Sequence, residues 1–153
     1  VDVFIDSLEN KNSKYKALAK DMRDSYGEWL SVAFRRDGDE LFVYLDPENL
    51  KWNGSVYVVD GNRGKLKHGG ESKFDIVGIA SDSWIDLKDF PKDFVELMYG
   101  RQFKDLPKAM RLGKSRAQVY LPKDGVMWPV GRGSDSGYDL DANYDRASRG
   151  VRS

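Results

Sequence analysis

Two alternating apolar runs constrain the fold of this chain more than any other feature. Leu30, Val32 and Phe34 recur at every second position, as do Leu41, Val43 and Leu45, and Arg36-Asp37-Gly38-Asp39 stands between them. A period of two places alternate side chains on one face of a strand. Asp-Gly between two such runs is a strong hairpin signal, and Asp46-Pro47 closes the unit. A second antiparallel set is expected downstream. It comprises a strand at 55–60, a turn at Gly61-Asn62-Arg63-Gly64, a short basic strand at 65–68, a break at Gly69-Gly70 and an apolar strand at 74–80. Consecutive strands without intervening helices favour an antiparallel meander.

Two segments read as helical. In 13–26, Tyr15, Leu18, Ala19, Met22 and Tyr26 recur at three- and four-residue steps, with Ser13 as the expected N-cap and Gly27 as the stop. In 82–112, Leu87, Phe90, Phe94, Leu97 and Met98 share one face, Pro91 suits a first turn, and Pro107 and Gly113 mark a break and an end. A last strand is expected at 117–121 and an apolar closing segment at 126–130. The expected fold class is therefore α+β. A single domain, 1–130, holds a mainly antiparallel sheet (hairpin plus meander), an N-terminal helix and a helical segment around 87–112, and a C-terminal tail, 131–153, follows it.

Composition excludes several chemistries. With no cysteine and one histidine, His68, the chain offers no thiolate zinc site, iron–sulfur cluster, cysteine nucleophile or multi-histidine metal site of its own. No cofactor or metal is expected. Basic and acidic residues number 25 each, so whole-molecule attraction to nucleic acid or membrane is not expected, and any such binding must come from a local patch. No apolar run approaches the roughly 20 residues that cross a bilayer, and no signal-peptide pattern appears. A soluble protein of unassigned compartment is expected. Val1 in place of Met fits an excised domain or a processed product.

Charge patterning supplies the candidate sites. Asp82, Asp86, Asp89, Asp93 and Glu96 step at helical intervals as an acidic stripe, and Arg101, Lys104, Lys108 and Arg111 continue it with the opposite sign, followed by Lys114 and Arg116. Such a basic stripe can neutralise phosphates or dock an acidic protein face. It is equally a solvated face whose split sign favours the helix dipole. The loop from Gly61 to Gly70 carries Arg63, Lys65, Lys67 and His68 among four glycines. Glycines let backbone N–H groups approach an anion, and an imidazole can exchange protons near neutral pH. His68 is thus the one catalytic candidate, with Glu71, Asp60 or a tyrosine as its partner. The alternative is two turns flanking an edge strand that lysines protect from pairing.

The segment 131–153 contains four Asp and four Arg, with no Lys or Glu. Arg forks suit carboxylates and phosphates, and Tyr138 and Tyr144 are rigid anchors of the interface type. With Arg146 and Arg149 they form the expected contact surface for other protein chains. Asp139-x-Asp141-x-Asn143 matches the first ligand positions of a calcium loop, but Tyr144 stands where that loop needs Gly and Gly150 where it needs Glu. Leu112-Gly113-Lys114-Ser115 lacks the earlier glycine of a phosphate loop. Tyr138-Asp139 followed by Arg146 resembles the Tyr-Asp…His-Arg signature of colicin M-type lipid II hydrolases over about a dozen residues, with Asp145 at the histidine position. The departure falls on a catalytic group, and the expectation is not built on it.

Of the four tryptophans, Trp29, Trp84 and Trp128 are expected to face the core and Trp52 to sit in a loop. Taken together, these features favour a non-enzymatic interaction or structural module, such as a subunit of a virus- or phage-type assembly. It would contact partners through the tail and the charged helical face. The alternatives are nucleic-acid binding through 63–68 and 101–116, or a small metal-independent, toxin-like nuclease or hydrolase centred on His68.

Overall fold

The computed structural model describes residues 12–14, 16, 17, 20, 28–60, 64–112, 117–132 and 139–142. Among the described residues, nine strands form one sheet: β1 (Glu28–Asp37), β2 (Glu40–Leu45), β3 (Leu50–Trp52), β4 (Tyr57–Val59), β5 (Gly70–Asp75), β6 (Trp84–Asp86), β7 (Gln118–Tyr120), β8 (Met127–Arg132) and β9 (Leu140–Asp141). Seven of them run in the order β5-β2-β1-β8-β9-β7-β6 and curl into a half-barrel. The hairpin β3–β4 joins through the pair Tyr57↔Met127. All pairs are antiparallel except β7 with β9.

The hairpin signal is met. Asp37 pairs with Glu40, leaving Gly38-Asp39 as a two-residue loop with Gly38 at φ 57°, where glycine escapes the Cβ clash. Val32, Phe34, Leu41 and Val43 point to the concave face and are buried. Helix α1 (Lys92–Tyr99) fills that face with Phe94, Val95, Met98 and Tyr99. The Phe94 ring lies 5.8 Å from Phe34, 5.3 Å from Phe74 and 4.7 Å from Phe90.

The fold is mostly β, with 21% of the described residues helical, which corrects the α+β expectation. The apolar residues of 87–112 do reach the core, but not from one helix. A 3-10 turn (Leu87–Asp89), α1, a second 3-10 turn (Phe103–Asp105) and the single turn α2 (Lys108–Arg111) replace it. Proline and glycine account for the breaks. Pro91 and Pro107 precede α1 and α2, and Gly100 ends α1 in the left-handed region, φ 65°. The meander is also corrected: β5 returns to pair with β2, and β3–β4 is set aside from the main path.

The expected tail is corrected where it is described. Gly131 and Arg132 belong to β8, and β9 inserts between β8 and β7 with Leu140 and Ala142 fully buried. Two apolar side chains at alternate positions are enough to seat a two-residue strand when both neighbouring edges would otherwise be open. At the N-terminal segment, Ser13, Lys14, Lys16, Ala17 and Lys20 are helical. The cap is Asn12 rather than Ser13: its Oδ1 accepts from Lys14 N–H at 3.0 Å and its carbonyl from Lys16 N–H at 3.1 Å.

Candidate binding cleft

β8 has two different neighbours along one edge. It meets β4 at Met127 and β9 at Gly131 and Arg132, so the ladder is open between them, beside Trp128. A cavity of about 410 Å³ occupies this split. Ser55 and Val56 from the β3–β4 hairpin form one wall, and Tyr120, Pro122 and Lys123 at the end of β7 form the other. Trp128 and Ala142 line it as well, together with Asp82, which precedes β6.

The polar centre of the cleft is a tyrosine–carboxylate pair. The Tyr120 hydroxyl donates to Asp82 Oδ1. That bond, then burial, then the negative charges of Asp82 and Asp141, push the phenol up to about 12. Tyr120 therefore stays a protonated donor and is not a general base near neutral pH. Asp82 sits at φ 53°, in the left-handed region that disfavours side chains. Among the described residues, the buried indole N–H of Trp128 has no hydrogen-bond acceptor.

Aromatic rings extend the cleft on both sides. Trp52, Tyr57 and Trp128 form a mutual cluster with centroids 5.1 to 5.4 Å apart. Trp84 packs edge-on against Tyr120 at 5.2 Å. Trp52 is 50% exposed, but it ends strand β3, opposite Tyr57, which corrects its assignment to a loop. Trp84 is 45% exposed, which corrects its assignment to the core. It belongs to the short strand β6, and its ring lies over Tyr120 rather than beneath the sheet. A second hollow, of about 310 Å³, is lined by Trp29, Val32, Leu50, Tyr57 and Pro129.

The residues singled out from sequence lie elsewhere. His68 is exposed and packs edge-on against Tyr44, centroids 5.1 Å apart, and among the described residues its imidazole makes no hydrogen bond. Tyr44 is raised to about 12, chiefly by burial, with Glu71 as its hydrogen-bond partner. A tyrosine does adjoin His68, but through a ring edge rather than an acid–base contact. Two of the loop's N–H groups are occupied. Lys67 N–H donates to Asn49 Oδ1 at 2.8 Å and Gly69 N–H to the Leu45 carbonyl at 2.7 Å, so neither is open to an anion. Lys65 and Lys67 are exposed.

The charged residues of the two stripes are not carried on one helix. Asp82 precedes a strand, Asp86 ends it, Asp89 lies in a 3-10 turn, and Asp93 and Glu96 lie in α1. Arg101 is half-buried, and Lys104 and Lys108 are exposed on separate elements. Arg111 Nε donates to the Leu106 carbonyl at 2.9 Å. Arg63, Lys114, Arg116, Tyr138, Tyr144, Arg146 and Arg149 lie outside the described residues. Among the described residues, no three His, Cys, Asp or Glu side chains gather to hold a metal ion, and no helix is long and apolar enough to cross a membrane.

Sequence reading missed Asp82, Tyr120, Lys123 and Trp128 as one site. The available signal was the tryptophan content, four in 153 residues. Nothing in the spacing joins positions 52, 82, 120 and 128. Comparison with family models, curated proteins and solved structures finds no match to this chain.

Proposed function

We propose that this protein is a binding module whose recognition site is the aromatic cleft at the split of the sheet. The observation that carries the reading is the Tyr120–Asp82 pair. A carboxylate held at positive φ, with its tyrosine donor, lines a cavity bounded by a half-buried tryptophan. Backbone strain of this kind clusters where a site must be pre-organised, and a cavity with apolar walls and a few convergent polar groups is the usual form of a ligand site. Contacts with other chains through Lys104, Lys108 and the Arg- and Asp-rich end are the part of the proposal that rests on sequence alone. Nucleic-acid binding through 63–68 and 101–116 is the alternative, with Arg101, Lys104, Lys108 and Arg111 carried on short separate elements rather than one helix. Crystallographic fragment screening tests the reading. Fragments are expected in the cleft, in contact with Trp128 and Tyr120. Fragments gathered at the His68 loop or the Lys104–Lys108 surface, with the cleft empty, would overturn it.

A further inference from the structure

We infer that the cleft takes a neutral oligosaccharide, stacked on Trp52 at one side and Trp84 at the other, with Asp82 and Tyr120 hydrogen-bonding the sugar between them. This inference rests on the cleft being the recognition site. Each half-exposed indole touches a ring that lines the cavity: Trp52 meets Trp128 at 5.4 Å and Trp84 meets Tyr120 at 5.2 Å. Trp128 lies on β8 and Tyr120 on β7, the two strands that flank β9. The exposed indoles therefore extend the site in two directions, as a ligand of several rings requires.

Three ligand classes compete for such a surface, and charge and spacing separate them. An ammonium ion bound in an aromatic cage needs open space over several ring faces. Here the rings of Trp52, Tyr57 and Trp128 touch one another, at centroid distances of 5.1 to 5.4 Å, and leave no gap for a cation among them. A nucleotide would stack equally well, but its phosphates would face the negative charges of Asp82 and Asp141 with one lysine, Lys123, in the lining. A sugar satisfies both demands. Its C–H face covers an indole, and its hydroxyls donate to the Asp82 carboxylate and accept from the cleft's donors.

Isothermal titration of the full chain with neutral β-linked glucose and N-acetylglucosamine oligomers, one to five units long, tests this. Affinity is expected to rise with length until both indoles are covered and then to level off. Trp52→Ala and Trp84→Ala are each expected to weaken the longer oligomers roughly tenfold, with partial recovery in Trp52→Tyr and Trp84→Tyr. Trp29→Phe, in the other hollow, is expected to bind as the parent does. Circular dichroism of each variant separates lost binding from lost folding. Binding that is independent of length, or unchanged in both indole variants, would overturn the inference. If nucleosides or quaternary ammonium compounds displace a cleft-bound fragment and no oligosaccharide binds, the saccharide assignment falls and the cleft stands. If nothing binds there, both fall.

Discussion

Tyr120 donates its hydroxyl hydrogen to Asp82, and Asp82 holds the acceptor in place from a backbone conformation, φ 53°, that its own side chain disfavours. The tyrosine comes from a strand and the aspartate from the segment leading into the strand paired with it, since Trp84 lies opposite Tyr120 in the register. The pair therefore fixes where β6 begins as well as what the cleft presents.

Substitutions at Asp82 separate the strain from the hydrogen bond. Asp82→Ala loses the bond and keeps a Cβ at positive φ, whereas Asp82→Gly loses the bond and relieves the clash. Asp82→Gly is expected to be the more stable variant in urea unfolding, by about 1 kcal/mol, the lower end of the left-handed penalty. Equal stabilities would show that the backbone there is unstrained.

Alkaline pH provides a second handle. Tyr44 and Tyr120 are each raised from 10.0 to about 12 in the folded chain. Between those values the folded state binds more protons than the unfolded state, so stability falls as pH rises. The contribution is complete below about pH 10 and is lost through pH 12. The melting temperature is expected to drop across this window, and to drop less in Tyr44→Phe and Tyr120→Phe. The chain has eight tyrosines, so loss of a phenol titrating near 10 from the native absorbance curve on Tyr44→Phe or Tyr120→Phe would contradict the assignment.

Leu140 tests whether β9 is an integral strand. It is fully buried between β8 and β7. Leu140→Ala is expected to cost about 2–5 kcal/mol, the range for a core leucine. A change under about 0.5 kcal/mol, as at exposed positions, would return this segment to the status of a tail.

Asn49 clamps the His68 loop. Its side chain accepts from Lys67 N–H at 2.8 Å and donates to the Lys65 carbonyl at 3.1 Å, and its own φ is 49°. Asn49→Ala is expected to speed amide hydrogen exchange at Lys67 at least tenfold while leaving Val43 in the core strand unchanged. Unaltered exchange at Lys67 would mean that the pairing of Glu48 with Lys67 holds the loop by itself.

The legible part of this chain was its local pattern. Alternation at 30–45 and Asp37-Gly38 placed the first hairpin, because the period of two and a left-handed glycine are properties of neighbouring residues. The apolar positions Phe90, Phe94 and Met98 are legible as core, but the helix is shorter than their spacing implies, because Pro91, Gly100 and Pro107 cut the segment into turns. Leu140 escaped because one apolar residue in an Arg- and Asp-rich segment carries no periodicity. Only the open edges of β7 and β8 make a strand of it. The cleft was illegible for the same reason. Asp82, Tyr120 and Trp128 meet through sheet topology that no spacing in the chain encodes. Of the charges that stand out locally, His68 lies in a loop, and Lys104, Lys108 and Arg111 lie on separate short helical turns.

The most direct measurement is the indole N–H region of the ¹H–¹⁵N spectrum, in which the four tryptophans give four separable signals, during titration with neutral di- to tetrasaccharides. The Trp128, Trp52 and Trp84 signals are expected to shift together along one saturation curve while Trp29, in the other hollow, stays in place. Movement of Trp29 alone, or shifts confined to the amides of 64–70 and 101–111, would contradict the cleft as the recognition site.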